Sequence, residues 1–257
     1  MVVLAECDST NAVAMRLPLA EVTAAGWTLV AAERQHAGRG RLGRSWDSPD
    51  GAGLTFSVAL AVPTQMPGAQ VGLLPLVAGM AVAQVCRARG VAAGVKWPND
   101  VVVPQADDPT QLAKLAGVLA ERGTAFAVVG VGLNVSLTAA EAVVPTATSL
   151  ARQGASSLDR DHLLAECTVA ILQLWERVRD GSAAAVVAEF RDLCVTIGSE
   201  VEITQPGGYR LRGRAVNVDE HGHLEIVTAD DRAMTVTAGD VVHVRPPGTA
   251  DFSPQIG

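Results

Sequence analysis

The sequence predicts an α+β fold, a mixed central sheet flanked by helices and followed by a small all-β unit, and three patterns carry that prediction. Before residue 150 strand-like runs outnumber helical ones and do not alternate strictly with them, as a doubly wound parallel sheet requires. From Asp159 the apolar residues adopt a 3.6-residue period. After Gly198 short alternating runs separated by Gly and Asp turns read as a barrel of about fifty residues.

Taken in order, VVLAEC opens the chain as a short strand. Asp8, Ser9, Thr10 and Asn11 then offer N-caps to a helical stretch, NAVAMRL, closed by Pro18. WTLVAAE and LTFSVALAV are strands on either side of an arginine- and glycine-rich loop. QVGLLPLVAGMAVAQVCRARG reads as an apolar helix ended by Gly90, and GVKWP, NDVVV, KLAGVLAER and AFAVVGVGLNV as strands joined by tight turns. Leu163, Leu164, Cys167, Ala170, Ile171, Leu174, Trp175 and Val178 share one face of a helix, and AAAVVAEFRDLC forms a second. EVEITQ, YRLRGRAVNV, HLEIVTA, AMTVTA and DVVHVRP are the barrel strands. The expected division is 1–196 for the main unit, 197–247 for the barrel, and 248–257, rich in Pro, Gly and Ser, for a disordered tail.

A chain of 257 residues can bury a sizeable core, and its net charge of −7 argues against a broad nucleic-acid surface, so no DNA partner is expected. Residues 51–86 carry no charge, but Pro63, Pro67, Pro75 and three glutamines interrupt them, leaving less than the ~20 apolar residues a membrane span needs. Cys7, Cys86, Cys167 and Cys194 form no C-x-x-C pair and no signal peptide is visible, which places reduced thiols in the cytoplasm. The sequon at Asn134 is then idle.

Residues 34–46, RQHAGRGRLGRSW, set Arg34, Arg39, Arg41 and Arg44 among Gly38, Gly40 and Gly43. Glycine lets a backbone approach a ligand closely, and guanidinium forks donate to phosphate or carboxylate in pairs. The bland alternative is a solvated basic loop. The glycines also spell G-x-G-x-x-G, but a strand follows where a dinucleotide fold requires a helix, so that reading fails. Of 20 basic residues only Lys96 and Lys114 are lysine, in VKWPNDVVV and KLAGVLAE, beside Trp, Asn, Asp and Gly rather than on a charged surface. That setting favours function.

Over nearly its whole length the chain resembles the biotin protein ligases. DSTN at 8–11, the GRGRLGRSW loop, KWPND at 96–100, KLAG at 114–117 and GVGLN at 130–134 occur in that family's order and approximate spacing. The resemblance implies a catalytic fold like that of class II aminoacyl-tRNA synthetases and an SH3-like C-terminal barrel. Some members carry an N-terminal DNA-binding domain, and this chain starts at the first catalytic strand, so a monofunctional ligase is expected. ATP and Mg²⁺ are the implied cofactors, biotin the substrate and biotinyl-5′-AMP the intermediate. The implied partner is the carrier domain of a biotin-dependent carboxylase, with a homodimer as a further possibility.

By the same resemblance Ser9, Thr10, Asn11, Gln35, Gly38, Arg39, Gly40, Arg41, Lys114 and Gly117 bind biotin. Arg39, Arg41, Arg44, Trp46, Lys96, Asn99, Lys114 and Asn134 bind the nucleotide, and Lys114, Arg39 and Asp100 are catalytic. The chemistry agrees with these assignments. Biotin's carboxylate must attack the α-phosphorus of ATP, and two unit charges ~4 Å apart repel by roughly 4 kcal/mol at an effective dielectric of 20, so fixed cations are needed. The neutral ureido ring needs uncharged partners such as Ser9, Thr10 and Gln35, although Ser9 and Thr10 also suit plain N-capping. Trp46 offers a face to adenine. No carboxylate cluster marks a metal site, so Mg²⁺ is expected on ATP oxygens and water. Biotinyl-AMP is destroyed by water, which makes residues 36–47 the expected lid. The acceptor lysine, with an unperturbed pKa of ~10.4, must lose a proton, and Asp100 is the carboxylate proposed to assist.

His36 departs from the family pattern and receives no role. His221 and His223 read as a solvated hairpin tip rather than a metal site, and Arg210, Arg212 and Arg214 share one strand face, solvated or turned to an acidic carrier. Two other functions compete: attachment of lipoate or octanoate on a related fold, against which the GRGRxGR loop and KWPND argue, and a non-catalytic biotin-binding regulator, which would bind without consuming ATP.

Overall fold

Alternating apolar runs and turn residues build two sheets in the computed structural model, which describes residues 1–105, 108, 111–142, 144–205 and 207–244. The strands of the first are β1 (Val2–Cys7), β2 (Trp27–Gln35), β3 (Gly53–Ala61), β4 (Gly94–Lys96), β5 (Asp100–Pro104), β6 (Leu112–Arg122) and β7 (Phe126–Asn134). Their order is β1-β2-β3-β7-β6-β5-β4. β1 runs parallel to β2, and the other neighbours are antiparallel, so the sheet is mixed as expected. The helices are α1 (Thr10–Met15), α2 (Leu19–Ala25), α3 (Gly68–Gly72), α4 (Leu74–Arg87), α5 (Arg160–Arg177) and α6 (Ala183–Leu193).

Two helical details differ from the sequence reading. Pro18 closes α1 but also stands at the N-cap position of α2, which the sequence reading missed, and Gly26 ends α2 with φ 76°. A proline is tolerated at a helix start because its absent N–H would be unpaired there anyway. The apolar stretch expected as one helix is divided at Leu73 into α3 and α4. Residues Gly68–Arg87 are long and apolar enough to cross a membrane by length and composition, yet 72% of that window is buried inside the protein, as in a core helix. α5 starts where its periodicity does, with the Asp159 carboxylate accepting from the N–H groups of Asp161 and His162.

Side chains alternate across a strand, and the two faces of this sheet have different company. Phe56, Val58 and Leu60 of β3 and Val129, Val131 and Leu133 of β7 join α4, α5 and α6 in the main core. On the opposite face Val30, Ala59 and Val128 pack with Ala14 and Val22 of α1 and α2. Along that face β7 reads Val128, Gly130, Gly132, Asn134. Where valine gives way to glycine, at Gly130 and Gly132, the same face borders a cavity that Ser9, Thr10 and Asn11 also line.

The second sheet contains β8 (Glu200–Thr204), β9 (Arg210–Val218), β10 (Leu224–Val227), β11 (Ala233–Val236) and β12 (Asp240–His243), in the order β11-β10-β9-β8-β12. Val201, Ile203, Ala215, Leu224 and Ile226 belong to the same apolar cluster as the main core. The junction is also hydrogen-bonded: the Trp97 indole N–H donates to the Gly222 carbonyl at 2.8 Å, and Arg191 Nε donates to the Val218 carbonyl at 2.7 Å. The tail expected at 248–257 lies outside the described residues.

Candidate active site

The uncharged end of the cavity is made where β1 and β2 run out together. Their parallel pairing continues past the strands, with the His36 N–H donating to the Cys7 carbonyl and the Ala37 N–H to the Asp8 carbonyl. Gln35 is thereby set against the first turn of α1. Its Oε1 accepts from the Thr10 backbone N–H at 2.7 Å and from the Thr10 hydroxyl at 3.1 Å. Ser9 occupies the N-cap position but makes no side-chain capping bond, so capping does not account for it. Ser57 Oγ on β3 lies 2.7 Å from both Thr10 Oγ1 and Asn11 Oδ1, and its one hydrogen serves one of them at a time.

Asn11 also has partners within the protein. Its Nδ2 donates to the Leu119 carbonyl at 3.2 Å and to Glu121 Oε2 at 2.8 Å, which takes up both amide hydrogens. It lines the cavity as a brace between α1 and β6, and a direct donor bond to biotin would have to break one of these.

The floor is a pair of glycines. Gly117 of β6 and Gly132 of β7 face each other in register, and the Trp46 indole rests on them. A Cβ on Gly132 would lie 2.2 Å from Trp46 Cε2, and one on Gly117 would lie 3.1 Å from Cζ3. Trp46 is held by its backbone N–H, which donates to the Gly38 carbonyl at 2.9 Å, while its indole N–H is buried without a partner. A buried donor left unpaired costs about 1–3 kcal/mol, so this one favours a ligand acceptor. Lys114 Nζ stands 5.6 Å from the centre of the same ring.

Beyond the floor lies the charged end. Lys114 Nζ is 2.7 Å from Asp100 Oδ1. Arg41 donates to Asn99 Oδ1 at 2.9 Å and to the Gly239 carbonyl of the barrel at 3.2 Å. Burial pushes the Arg41 pKa down, opposed by the nearby Asp100 and Asp240 carboxylates. Arg44 pairs with Asp240, also from the barrel, and Arg39 pairs with Glu121 at 3.1 Å. Asn99 Nδ2 donates to the Val118 carbonyl and Asn134 Nδ2 to the Thr148 carbonyl. The loop folds back on itself through a 3₁₀ turn at Arg41–Gly43, in which Leu42 is left-handed at φ 56°.

The whole cavity is about 500 Å³, within the range of small-molecule sites. It gathers Ser9, Thr10, Asn11, Gln35, Arg39, Gly40, Arg41, Arg44, Trp46, Asn99, Asp100, Lys114, Gly117 and Asn134 from the predicted set. Two predicted residues do not line it. Gly38 acts through the loop, since a Cβ there would lie 2.2 Å from the Trp46 carbonyl oxygen. Lys96 sits behind the site, opposite Asp100 in the β4–β5 pair, and burial pushes its pKa down against the pull of Asp100. Sequence reasoning missed Gly130, Gly132, Ser57, Glu121 and Asp240. The first two stand in the GVGLN strand, where interior glycines mark a close approach. Asp240 arrives from the barrel, and no local pattern announces it. Among the described residues no group of three or more His, Cys, Asp or Glu side chains is placed to hold a metal; the backbone N–H groups of His221 and His223 both donate to Asp219 Oδ1, and only the His223 ring meets that carboxylate, at 3.1 Å.

The chain is similar to known proteins over most of its length. Residues 5–135 match the Biotin/lipoate A/B protein ligase family, and residues 196–244 match the Biotin protein ligase C terminal domain. The biotin–[acetyl-CoA-carboxylase] ligase of Mycobacterium tuberculosis is 38% identical over 251 residues, covering 95% of this chain and 88% of the relative. The bifunctional ligase/repressor BirA of Escherichia coli is 32% identical over 200 residues, covering 75% of this chain and 59% of the relative. Among solved structures, the biotin protein ligase of Aquifex aeolicus in complex with biotin and ATP superimposes with a TM-score of 0.76 at 26% identity, over 95% of this chain and 98% of that one.

Proposed function

This chain belongs to the biotin/lipoate A/B protein ligase family, and we infer that its cavity is where biotin meets ATP. The activity is ATP-dependent ligation of biotin to the carrier domain of a carboxylase. The biotin carboxylate attacks the α-phosphorus, forming biotinyl-5′-AMP and releasing pyrophosphate. The ε-amine of a carrier lysine then attacks the acyl carbon, and AMP leaves.

The observation that carries the residue assignments is the polarity of the cavity from end to end. Thr10, Gln35 and Ser9 offer neutral hydrogen-bonding groups at one end, as a ureido ring requires. Between the two ends, the glycine floor of Gly117 and Gly132 seats the Trp46 ring. Lys114, Arg41 and Arg44 gather at the other end, where a carboxylate and a triphosphate must be brought together against their repulsion. Each of these cations has a partner that the ligand's anions can replace: Asp100 for Lys114, Asp240 for Arg44, and neutral acceptors for Arg41. When Lys114 turns to the carboxylate and α-phosphate, Asp100 is released. It is then free to orient the carrier lysine and take its proton in the second step.

Arg39, Arg41, Arg44 and Lys114 share the cavity lining with Asp47, Asp100, Glu141 and Asp240, which are spread along it. Among the described residues no group of three or more His, Cys, Asp or Glu is placed to hold a metal, so Mg²⁺ would come with ATP and would add charge neutralisation at its phosphates. The cytoplasm, with its ATP and its reducing poise toward four buried free thiols, is the compartment this chemistry suits. Biotin-dependent exchange of labelled pyrophosphate into ATP tests the first step. Exchange that requires biotin supports the reading, and exchange supported equally by lipoate or absent with both acids contradicts it.

A further inference from the structure

Glu121 stands near the end of β6, and neither step above uses it. One of its carboxylate oxygens, Oε2, lies 2.8 Å from Asn11 Nδ2 and 3.1 Å from Arg39 Nη2. It therefore joins two parts of the site that are held very differently. Asn11 is buried and fixed: Ser57 and the Leu119 carbonyl hold the rest of its amide, and Gly130 comes so close that a Cβ there would lie 2.0 Å from Oδ1. Arg39 belongs to the arginine loop, and its side chain is 49% exposed. Its guanidinium pairs with Glu121, whereas Asp100 and Asp240 pair with Lys114 and Arg44. What the loop brings to the uncharged end at this point is backbone, since a Cβ on Gly38 would lie 3.0 Å from Gln35 Nε2.

We propose that Glu121 is a positioning residue for biotin, holding the Arg39 guanidinium against the braced Asn11 and so setting the loop backbone at 38–40 against the ureido end of the cavity. The proposal rests on the biotin reading given above. It also changes the expected place of Arg39, from the carboxylate and phosphate to the ureido end. A carboxylate suits this task because it accepts from the Asn11 amide and attracts the guanidinium at once.

The test uses the full chain with Glu121→Gln, which keeps the shape and the acceptor for Asn11 but removes the charge. Calorimetry without ATP gives Kd for biotin and for biotinol, whose tail ends in an uncharged alcohol. Half-exposed ion pairs contribute about 1 kcal/mol, so both ligands should bind about fivefold more weakly, with kcat and the KM for ATP within about twofold of the unmodified chain. Arg39→Gln, a change on an exposed loop, should show the same loss, and the double variant should be no worse than either single one. Unchanged Kd values in Glu121→Gln would overturn the proposal. So would a loss confined to biotin, which would return Arg39 to the carboxylate, or losses that simply add. An unmodified chain that binds neither ligand would remove the biotin reading itself, and the proposal with it.

Discussion

Lys114 and Asp100 form an ion pair 2.7 Å long at the charged end, and the proposed mechanism gives each a different step. Lys114→Gln should slow biotinyl-AMP formation by about 10²–10³-fold, the usual loss when a donor to developing negative charge is removed, as read in single-turnover assays. A loss of less than tenfold would mean that the arginines suffice. Asp100→Asn should form the adenylate at near the normal rate and transfer it to carrier at least about tenfold more slowly. Transfer at the unmodified rate would remove Asp100 from the second step. Residues of this kind were legible in the sequence because their chemistry is uncommon in its setting: two lysines among 18 arginines, each beside Trp, Asn or Gly. Asn11 was legible as a site residue but not as a brace, because a sequence does not show which protein groups already occupy an amide. Ser57 was hidden between the core residues Phe56 and Val58, and Glu121, beside Arg122 near the end of β6, reads as a solvated charge.

The element that decides the cavity's shape is the arginine loop, folded over the glycines of β6 and β7. Adding a methyl group at Gly132→Ala puts a Cβ 2.2 Å from the Trp46 ring, so the indole must leave its seat. The expected result is a KM for ATP or biotin raised by about tenfold or more, and loss of any Trp46 fluorescence change on ligand binding, with overpacking strain of about 1–3 kcal/mol at most. Normal affinities for both ligands would show that the indole's position does not matter. Amides at 36–47 should exchange more slowly once biotin and ATP are both present, because Arg41 and Arg44 then exchange protein partners for ligand anions. The strands bordering this loop were legible from alternation and turn residues. α2 was not, because Pro18 was read as a stop and only the tertiary setting shows that it also starts a helix. The break at Leu73 was hidden in an apolar run with no periodic gap.

At the scale of the whole molecule, the barrel is part of the site as well as a neighbour of it. Gly239 and Asp240 hold Arg41 and Arg44, the Trp97 indole reaches Gly222, and the apolar core runs through both sheets. His243 stands at this junction, its Nε2 3.3 Å from Thr196 Oγ1, and burial with the nearby Lys96 charge lowers its pKa to about 4. Unfolding restores an ordinary value of ~6.5, so the unfolded chain binds the proton more readily. His243 therefore contributes stability that is intact above pH ~6.5 and is lost as pH falls towards about 4. His243→Gln should flatten the fall in melting temperature across that window, and an unchanged slope would assign it to other groups. The sequence showed a barrel from its short strands, but contacts between residues nearly 200 positions apart, such as Arg44 with Asp240, leave no local pattern to read. The central claim is that the cavity makes an acyl-adenylate from biotin. Its most direct test is mass spectrometry of the protein after incubation with Mg-ATP and, in separate samples, biotin, lipoate or octanoate. Biotinyl-AMP from biotin and no adenylate from the other two is the predicted result. Lipoyl- or octanoyl-AMP, or measurable biotin binding with no adenylate at all, would contradict it.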